Sequence, residues 1–225
     1  MQSSIERKQL IKKGAEASLF YGKWFNKEVI FKHRIAKQYR IPQLDNEIRT
    51  LRTINEAKAL IKVKEYGLNV PVVYEIDTQK ALIIMEYIVG EKLKDLMDTL
   101  KESDKLNYFR KVGEFIAQLH LNGQTHGDIT TSNVLITPNK HVFLIDFGLH
   151  EYSDTIEDKS VDLHLFKRVL ISSHGNDYLS CYHAFIERYK TIYKNNNSQK
   201  LCSSILKNIK VIESRGRYIK KSERL

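Results

Sequence analysis

The sequence predicts an α+β chain in two lobes: a small antiparallel β-sheet lobe with one long helix, then a helical lobe. Three observations predict it. Short apolar runs parted by turn residues fill the first 85 positions, and a 3.6-residue apolar period takes over beyond Gly90. Residues 86–90 lie between them as a hinge, with no linker long enough to separate independent domains.

In the first lobe, Leu10-Ile11, Ala17-Ser18-Leu19-Phe20-Tyr21 and Glu28-Val29-Ile30-Phe31 are β-like runs parted by Gly14, Gly22 and Asn26. Residues 44–63 carry apolar side chains at 44, 48, 51, 54, 60 and 61 among charges. That predicts one long amphipathic helix after Pro42, ended by Gly67 and Pro71. Val72-Val73-Tyr74-Glu75-Ile76 and Ala81-Leu82-Ile83-Ile84-Met85 read as two more strands around the turn Asp77-Thr78-Gln79-Lys80. Residues 1–85 thus hold five strands and one helix.

In the second lobe, residues 91–212, Leu93, Leu96, Met97 and Leu100, then Phe109, Val112, Ile116, Leu119 and His120, follow the helical period. Ser103 or Asp104 is the candidate N-cap. Residues 161–170, 179–193 and 201–212 complete the helices, with Asn195-Asn196-Asn197-Ser198 as a polar loop. The only expected β element is a hairpin, Asn133 to Thr137 and His141 to Asp146 around Pro138-Asn139-Lys140.

That hairpin joins the most informative residues of the chain. His126-Gly127-Asp128-Ile129-Thr130-Thr131-Ser132-Asn133 precedes it and Asp146-Phe147-Gly148 follows, with eighteen residues from Asp128 to Asp146. A hairpin brings its outer ends together, so Asn133 and Asp146 are expected side by side as oxygen ligands for Mg²⁺, which takes few protein ligands and fills its shell with water and phosphate. Asp128, just before them, is the expected acceptor of a proton from an attacking hydroxyl or water. Each fragment alone could be ordinary turn chemistry. The joint spacing points to a protein-kinase-like site for ATP and Mg²⁺.

Such a site needs a phosphate-binding cation from the sheet lobe. Lys32 is placed for it at the end of the third run, with Glu56 on the long helix as its ion-pair partner and Glu47 as the weaker candidate. Lys13-Gly14-Ala15-Glu16-Ala17-Ser18 stands where the phosphate loop belongs, with one glycine instead of the three of G-x-G-x-x-G. Gly14, Ala15 and Glu16 are therefore candidate phosphate-loop residues, and the Glu86 and Ile88 backbone is the candidate adenine contact. Gly127 stands where H-R-D kinases carry Arg, and only sixteen residues separate Asp146 from Asp162. The activation segment is truncated, so control by loop phosphorylation is not expected.

Composition agrees with a soluble globular protein: 42% hydrophobic and 28% charged residues over 225 positions. The longest apolar run, Ala81 to Met85, is too short to span a bilayer, and residues 1–13 lack a signal-peptide pattern. Two cysteines, Cys181 and Cys202, without metal-type spacing suit small buried residues in a reducing cytoplasmic or nuclear setting. The net charge of +10 is uneven. Lys32-His33-Arg34, Lys37 and Arg40 form an acid-free cluster, and residues 207–225 hold seven Lys or Arg against Glu213 and Glu223. Both suit either a polyanionic partner or a solvated basic surface. Residues 213–225 form a basic tail too polar for a core helix and expected to be mobile.

Taken together, these residues resemble one family, the small atypical kinase and ATPase subunit of the KEOPS (EKC) complex, the PRPK family. The resemblance covers nearly the whole chain. It rests on Ile11-Lys12-Lys13-Gly14-Ala15-Glu16-Ala17, Lys32-His33-Arg34 with Lys37, Tyr39-Arg40 and Pro42, and Arg52-Thr53 with Glu56-Ala57. It continues through His126 to Asn133, Ile145 to Leu149, Glu157-Asp158-Lys159 with Val161-Asp162-Leu163, and Arg215-Gly216-Arg217. The tail departs from the family where Tyr218-Ile219 precede Lys220-Lys221-Ser222.

The resemblance implies a bilobal kinase-like fold binding ATP and Mg²⁺, weak serine autophosphorylation and an ATPase role. It also implies service to a complex that makes threonylcarbamoyladenosine at tRNA position 37. The implied partners are the threonylcarbamoyl transferase subunit on the helical lobe and tail, a TPRKB-type small subunit on the sheet lobe, and tRNA through the complex, with no membrane. Two other readings start from the same residues. One is a small-molecule kinase of the aminoglycoside or choline type, which shares H-G-D…N…D but usually runs longer with an acidic substrate pocket. The other is a non-catalytic scaffold, against which the presence of Lys32, Glu56, Asp128, Asn133 and Asp146 speaks.

Overall fold

Alternating apolar residues in the first ninety positions form a twisted sheet because one face must be buried. A computed structural model describes residues 5–222, with side chains over 9–215. The strands are β1 (Ile5–Lys13), β2 (Ala17–Trp24), β3 (Lys27–Arg34), β4 (Val73–Asp77) and β5 (Leu82–Glu86), with α1 (Pro42–Glu65) between β3 and β4. All neighbours are antiparallel, in the order β1-β2-β3-β5-β4. Gly22 does not break a strand as expected; it sits inside β2, opposite Val29. The reversal falls at Phe25 and at Asn26, the other expected break, both at positive φ. Val29, Phe31, Leu82 and Ile84 form a core cluster with Phe20, Trp24 and Tyr74 against it. Leu82 to Met85 are all buried, as a central strand covered on both faces requires.

The long helix turns a different face inward from the one its leucines suggest. Leu44, Leu51 and Ile61 are exposed, whereas Thr53, Glu56, Ala57, Leu60 and Val63 are buried. Small side chains at 57 and 59 let the helix settle against β4 and β5, and Glu56 finds cations on the sheet.

The chain divides into two compact units. One is the described residues up to Gly90 together with Phe143–Gly148; the other is Glu91–Val142 and the described residues from Leu149 on. The second unit contains α2 (Leu93–Leu96), α3 (Glu102–Leu121), α4 (Ile156–Ser173), α5 (Tyr178–Asn195) and α6 (Gln199–Ser222). α3 packs on α5, and α4 on α6. The expected hairpin is present as β8 (Val134–Ile136) and β9 (Val142–Leu144), and β8 is not the only β structure of the second unit. β6 (Glu91–Lys92) pairs with β8, and β7 (Gln124–Thr125) pairs with β10 (Glu151–Tyr152). Two-residue strands carry no periodic signal, so the sequence did not reveal them.

Helix ends also differ from expectation. The N-cap of α3 is Lys101, without a side-chain cap; Ser103 and Asp104 lie in its first turn, where Glu102 and Asp104 meet the positive end of the dipole. α4 starts five residues before Val161 because Thr155 caps it, accepting from the Asp158 N–H at 3.1 Å. Its start lies ten residues beyond Asp146, as a truncated activation segment requires. α6 does not stop at 212; its backbone stays helical to Ser222, so the boundary drawn for a tail falls within a helix. Among the described residues no helix is long and apolar enough to cross a membrane.

Gly113 on α3 tests the packing of the second unit. A Cβ there would run into the carbonyl oxygen of Phe185 on α5. Alanine favours a helix over glycine by about 1 kcal/mol, yet Gly113→Ala should lower stability by about 2 kcal/mol through overpacking. Calorimetry should show the melting temperature falling by about 4–8 °C.

Candidate active site

Side chains two apart on a strand share a face, so Lys32 and Arg34 of β3 point the same way. There both meet Glu56 of α1. Lys32 Nζ pairs with Glu56 Oε1, and Arg34 Nη2 donates to Glu56 Oε2 at 2.7 Å. Lys32 Nζ also lies 2.9 Å from Asp146 Oδ1. All three of Lys32, Arg34 and Glu56 are buried. Burial alone would lower the Lys32 pKa, but the charges of Glu56 and Asp146 outweigh it and leave it raised. Lys32 is therefore an ammonium at neutral pH. Of the two glutamates weighed on α1, Glu56 is the one it meets.

Asp146 has φ +66°, a left-handed backbone that Asp tolerates better than most side chains. Gly148 leaves it room: a Cβ there would stand 3.2 Å from Asp146 Oδ1 and 3.5 Å from Arg34 Nη2. The Asp146 side chain is 46% exposed, so the carboxylate is open to a ligand while anchored to Lys32.

The candidate phosphate loop sits between β1 and β2. Gly14 donates its N–H to Ala17 O at 2.9 Å, closing the turn. Ala15 O accepts from Lys37 Nζ, and the Glu16 carboxylate meets Arg34 at 3.5 Å and also Arg52. At the hinge, Glu86 gives its N–H to Val72 O at 2.8 Å and accepts the Val72 N–H on its carboxylate at 3.1 Å, while Ile88 is buried.

The basic cluster at the end of β3 and just beyond it is largely paired with acids. Lys32 and Arg34 are buried on Glu56, and Arg40 Nη1 lies 3.4 Å from Asp45, which Arg49 also holds at 2.7 Å. The acids that neutralise it come from elsewhere in the sequence, which is why the cluster looks acid-free when read linearly.

In the second unit the His126–Asn133 loop follows β7. Asn133 Nδ2 donates to Asp128 O at 3.0 Å and to Asp128 Oδ2 at 2.9 Å, which fixes the Asp128 rotamer. With its nitrogen so engaged, Asn133 keeps Oδ1 as the atom for a cation. Gly127 stands at φ +78°, where a Cβ would run into Leu149 O. The missing arginine is thus also a backbone requirement.

Sequence reasoning missed the residue that holds this loop. Asp162 of α4 is buried and spends both oxygens on it: Oδ2 accepts the His126 N–H and Oδ1 the Gly127 N–H, each at 2.9 Å. Oδ2 also faces His120 Nε2 at 3.1 Å, and His120 Nδ1 is 2.9 Å from the Tyr189 hydroxyl. Burial opposes the Asp162 charge, but hydrogen bonding to His120 and to the loop outweighs it and holds the pKa below the ordinary aspartate range. One signal was available: Asp162 lies on the same α4 stripe as Phe166 and Leu170, where a carboxylate needs a partner.

A five-stranded antiparallel sheet with a buried lysine–glutamate pair, followed by a His-Gly-Asp loop tied to a helix, makes this a protein kinase domain, a kinase-type phosphotransferase. A family model described as "Protein kinase domain" matches residues 8–165, and such a domain uses ATP. The chain is 42% identical over 220 residues to "KEOPS complex subunit Bud32" of Pyrococcus abyssi, covering 95% of this chain and 98% of that protein. It is 38% identical over 219 residues to a "Probable bifunctional tRNA threonylcarbamoyladenosine biosynthesis protein" of Methanococcus maripaludis, covering 97% of this chain and 38% of that one. The protein of the same description in Methanobrevibacter smithii is 42% identical over 209 residues, covering 93% of this chain and 36% of its own length. The chain therefore spans little more than a third of these bifunctional relatives but nearly all of the Pyrococcus protein. It belongs to the family of KEOPS complex subunit Bud32.

Because Asp162 is charged only while its carboxyl is ionised, its contribution to stability is present above the ordinary aspartate pKa and is lost as pH falls through the lower folded value. Asp162→Asn should destabilise the protein at pH 7 by about 3 kcal/mol. It should also flatten the stability loss on acidification below about pH 4. Melting temperatures of both proteins at pH 7 and pH 3 check this: the gap between them should narrow at low pH.

Proposed function

We propose that this protein is a magnesium-dependent ATPase and atypical serine/threonine kinase. In this reading it serves a KEOPS complex in forming threonylcarbamoyladenosine at tRNA position 37. The observation that carries it is the buried Lys32 ammonium, held by Glu56 with Asp146 beside it, in a chain collinear with "KEOPS complex subunit Bud32" over 98% of that protein. The donor types suit Mg²⁺: a carboxylate at Asp146, in the first unit, and an amide oxygen at Asn133, in the second, are each hard oxygen donors of the kind the ion takes. When bound, magnesium-ATP supplies the transferable phosphoryl group and neutralises charge on its oxygens.

The protein's own residues have distinct roles. Lys32 binds phosphate oxygens as a fixed cation, and Glu56 and Arg34 prevent it from swinging away. Asp146 and Asn133 are the residues that would hold the metal. Asp128, oriented by Asn133 Nδ2, accepts the proton of the attacking water or serine hydroxyl. The Glu86 carbonyl and the Ile88 N–H meet the adenine edge, since the Glu86 N–H is already bonded to Val72 O. Loop Gly14–Glu16 covers the phosphates.

For partners, we assign the helical unit and α6 to the threonylcarbamoyl transferase subunit and the sheet unit to a TPRKB-type small subunit. tRNA is reached through the complex. The exposed apolar residues Leu44, Leu51 and Ile61 on α1 support a protein-facing role for the sheet unit. We place the protein in a reducing cytoplasmic or nuclear setting.

ATP turnover measured alone, with the transferase subunit and with tRNA added tests this reading. Asp128→Ala should lower turnover by at least about 100-fold while pull-down of the transferase is unchanged. Loss of neither, or of both together in a folded variant, overturns the assignment. Deleting residues 213–225 should leave ATP binding unchanged but lower tRNA modification by the reconstituted complex. Full modification by the truncated protein at physiological salt would leave that segment without a role.

A further inference from the structure

The candidate phosphate loop, Lys13-Gly14-Ala15-Glu16-Ala17-Ser18, has one glycine and places a carboxylate where a polyanion would lie. Resting on the reading of this segment as the ATP phosphate loop, we propose that Glu16 is a positioning residue: its clamp between Arg34 and Arg52 shapes the loop in place of the missing glycines.

In a G-x-G-x-x-G loop, glycines let the backbone approach phosphate and turn N–H groups toward it. Here Gly14 spends its N–H on Ala17 O at 2.9 Å. The Ala15 carbonyl is held by Lys37 Nζ, and because the peptide unit is planar and trans, that contact fixes the following N–H, of Glu16, on the opposite side. The loop conformation is therefore set by side chains outside the loop.

Left alone, a carboxylate beside a phosphate would repel it. In the structure the Glu16 carboxylate is turned onto Arg34 Nη1 at 3.5 Å and Arg52 Nη1. Arg34 is 3% exposed and cannot follow a mobile loop, because its other terminal nitrogen is bonded to Glu56 at 2.7 Å. The same Glu56 holds Lys32. A continuous alternation of charge, Arg52, Glu16, Arg34, Glu56, Lys32, thus runs through the first unit. It ties the loop to the phosphate-binding cation, so loop position and lysine position are set by one network.

The opposite arrangement would make Glu16 a placeholder that surrenders its arginines to incoming phosphate. Burial of Arg34 and its commitment to Glu56 favour the clamp, and the two differ in sign. The full chain is titrated with a fluorescent ATP analogue plus Mg²⁺, and ATP turnover is measured, for the wild type, Glu16→Gln, Arg52→Gln and the double variant. Glu16 and Arg52 are both partly exposed, so these variants keep their melting temperature. The clamp predicts nucleotide binding about tenfold weaker in Glu16→Gln, as loss of a charge-assisted hydrogen bond implies. The apparent KM rises with it while kcat stays within about twofold, and the double variant is no weaker than the worse single one. Tighter binding in Glu16→Gln would establish the placeholder. Unchanged binding, or strictly additive losses, would overturn the clamp. If the wild type neither binds nor turns over magnesium-ATP, the functional reading itself fails, an outcome distinct from any shift among variants.

Discussion

A carboxylate 2% exposed, Glu56, lies between Lys32 and Arg34 with one oxygen on each, and the geometry of the first unit depends on it. Burying any of these charges alone costs several kcal/mol, so the group is stable only when all three are present and hydrogen-bonded. That requirement orients α1. The helix turns Thr53 and Glu56 to the sheet together with Ala57, Leu60 and Val63, and leaves Leu44, Leu51 and Ile61 in solvent. It also fixes Lys32 where Asp146 can reach it at 2.9 Å. The network that stabilises this unit thus also positions the candidate site residues Lys32 and Asp146.

The second unit uses the same device with different residues. Asp162 is a buried helix carboxylate that spends both oxygens, here on the backbone N–H groups of His126 and Gly127. Held this way, the loop presents Asp128 in one rotamer, locked further by Asn133. His120 and Tyr189 continue the bonding inward, where Phe166, Phe185 and Tyr193 pack. In both units a buried acid from a helix fixes a candidate site element, the Lys32 side chain on β3 in one and the His126–Asn133 loop in the other. Loops alone are too mobile for such precision, and helices supply the rigid reference.

Charge bookkeeping by sequence misleads here. The net charge of +10 suggests a basic surface, yet several of the cations nearest the candidate site are internal and matched. The excess on α6 is partly matched too: Lys167 on α4 meets Glu213 at 2.7 Å, and Arg215 meets Glu157 at 2.9 Å. Arg215, one of the cations that suggested a polyanionic partner, is therefore also a surface contact between two helices. Exposed pairs of this kind contribute little to stability, so a partner of opposite charge can displace them at small cost.

The kinase-like class, the five strands with one helix, and the pairing of Lys32 with Glu56 were legible in the chain itself. They rest on local periodicity and on spacing between polar residues, which survive in one dimension. The inward face of α1, the two-residue strands, the early start of α4 and the roles of Arg34 and Asp162 were not. Each of these, apart from the Thr155 cap, is settled by a partner far away in sequence: Glu56 lies 22 residues from Arg34, and Asp162 lies 35 from Gly127. A buried charge is placed by what neutralises it, and only the folded chain brings that counter-charge or donor within hydrogen-bonding distance.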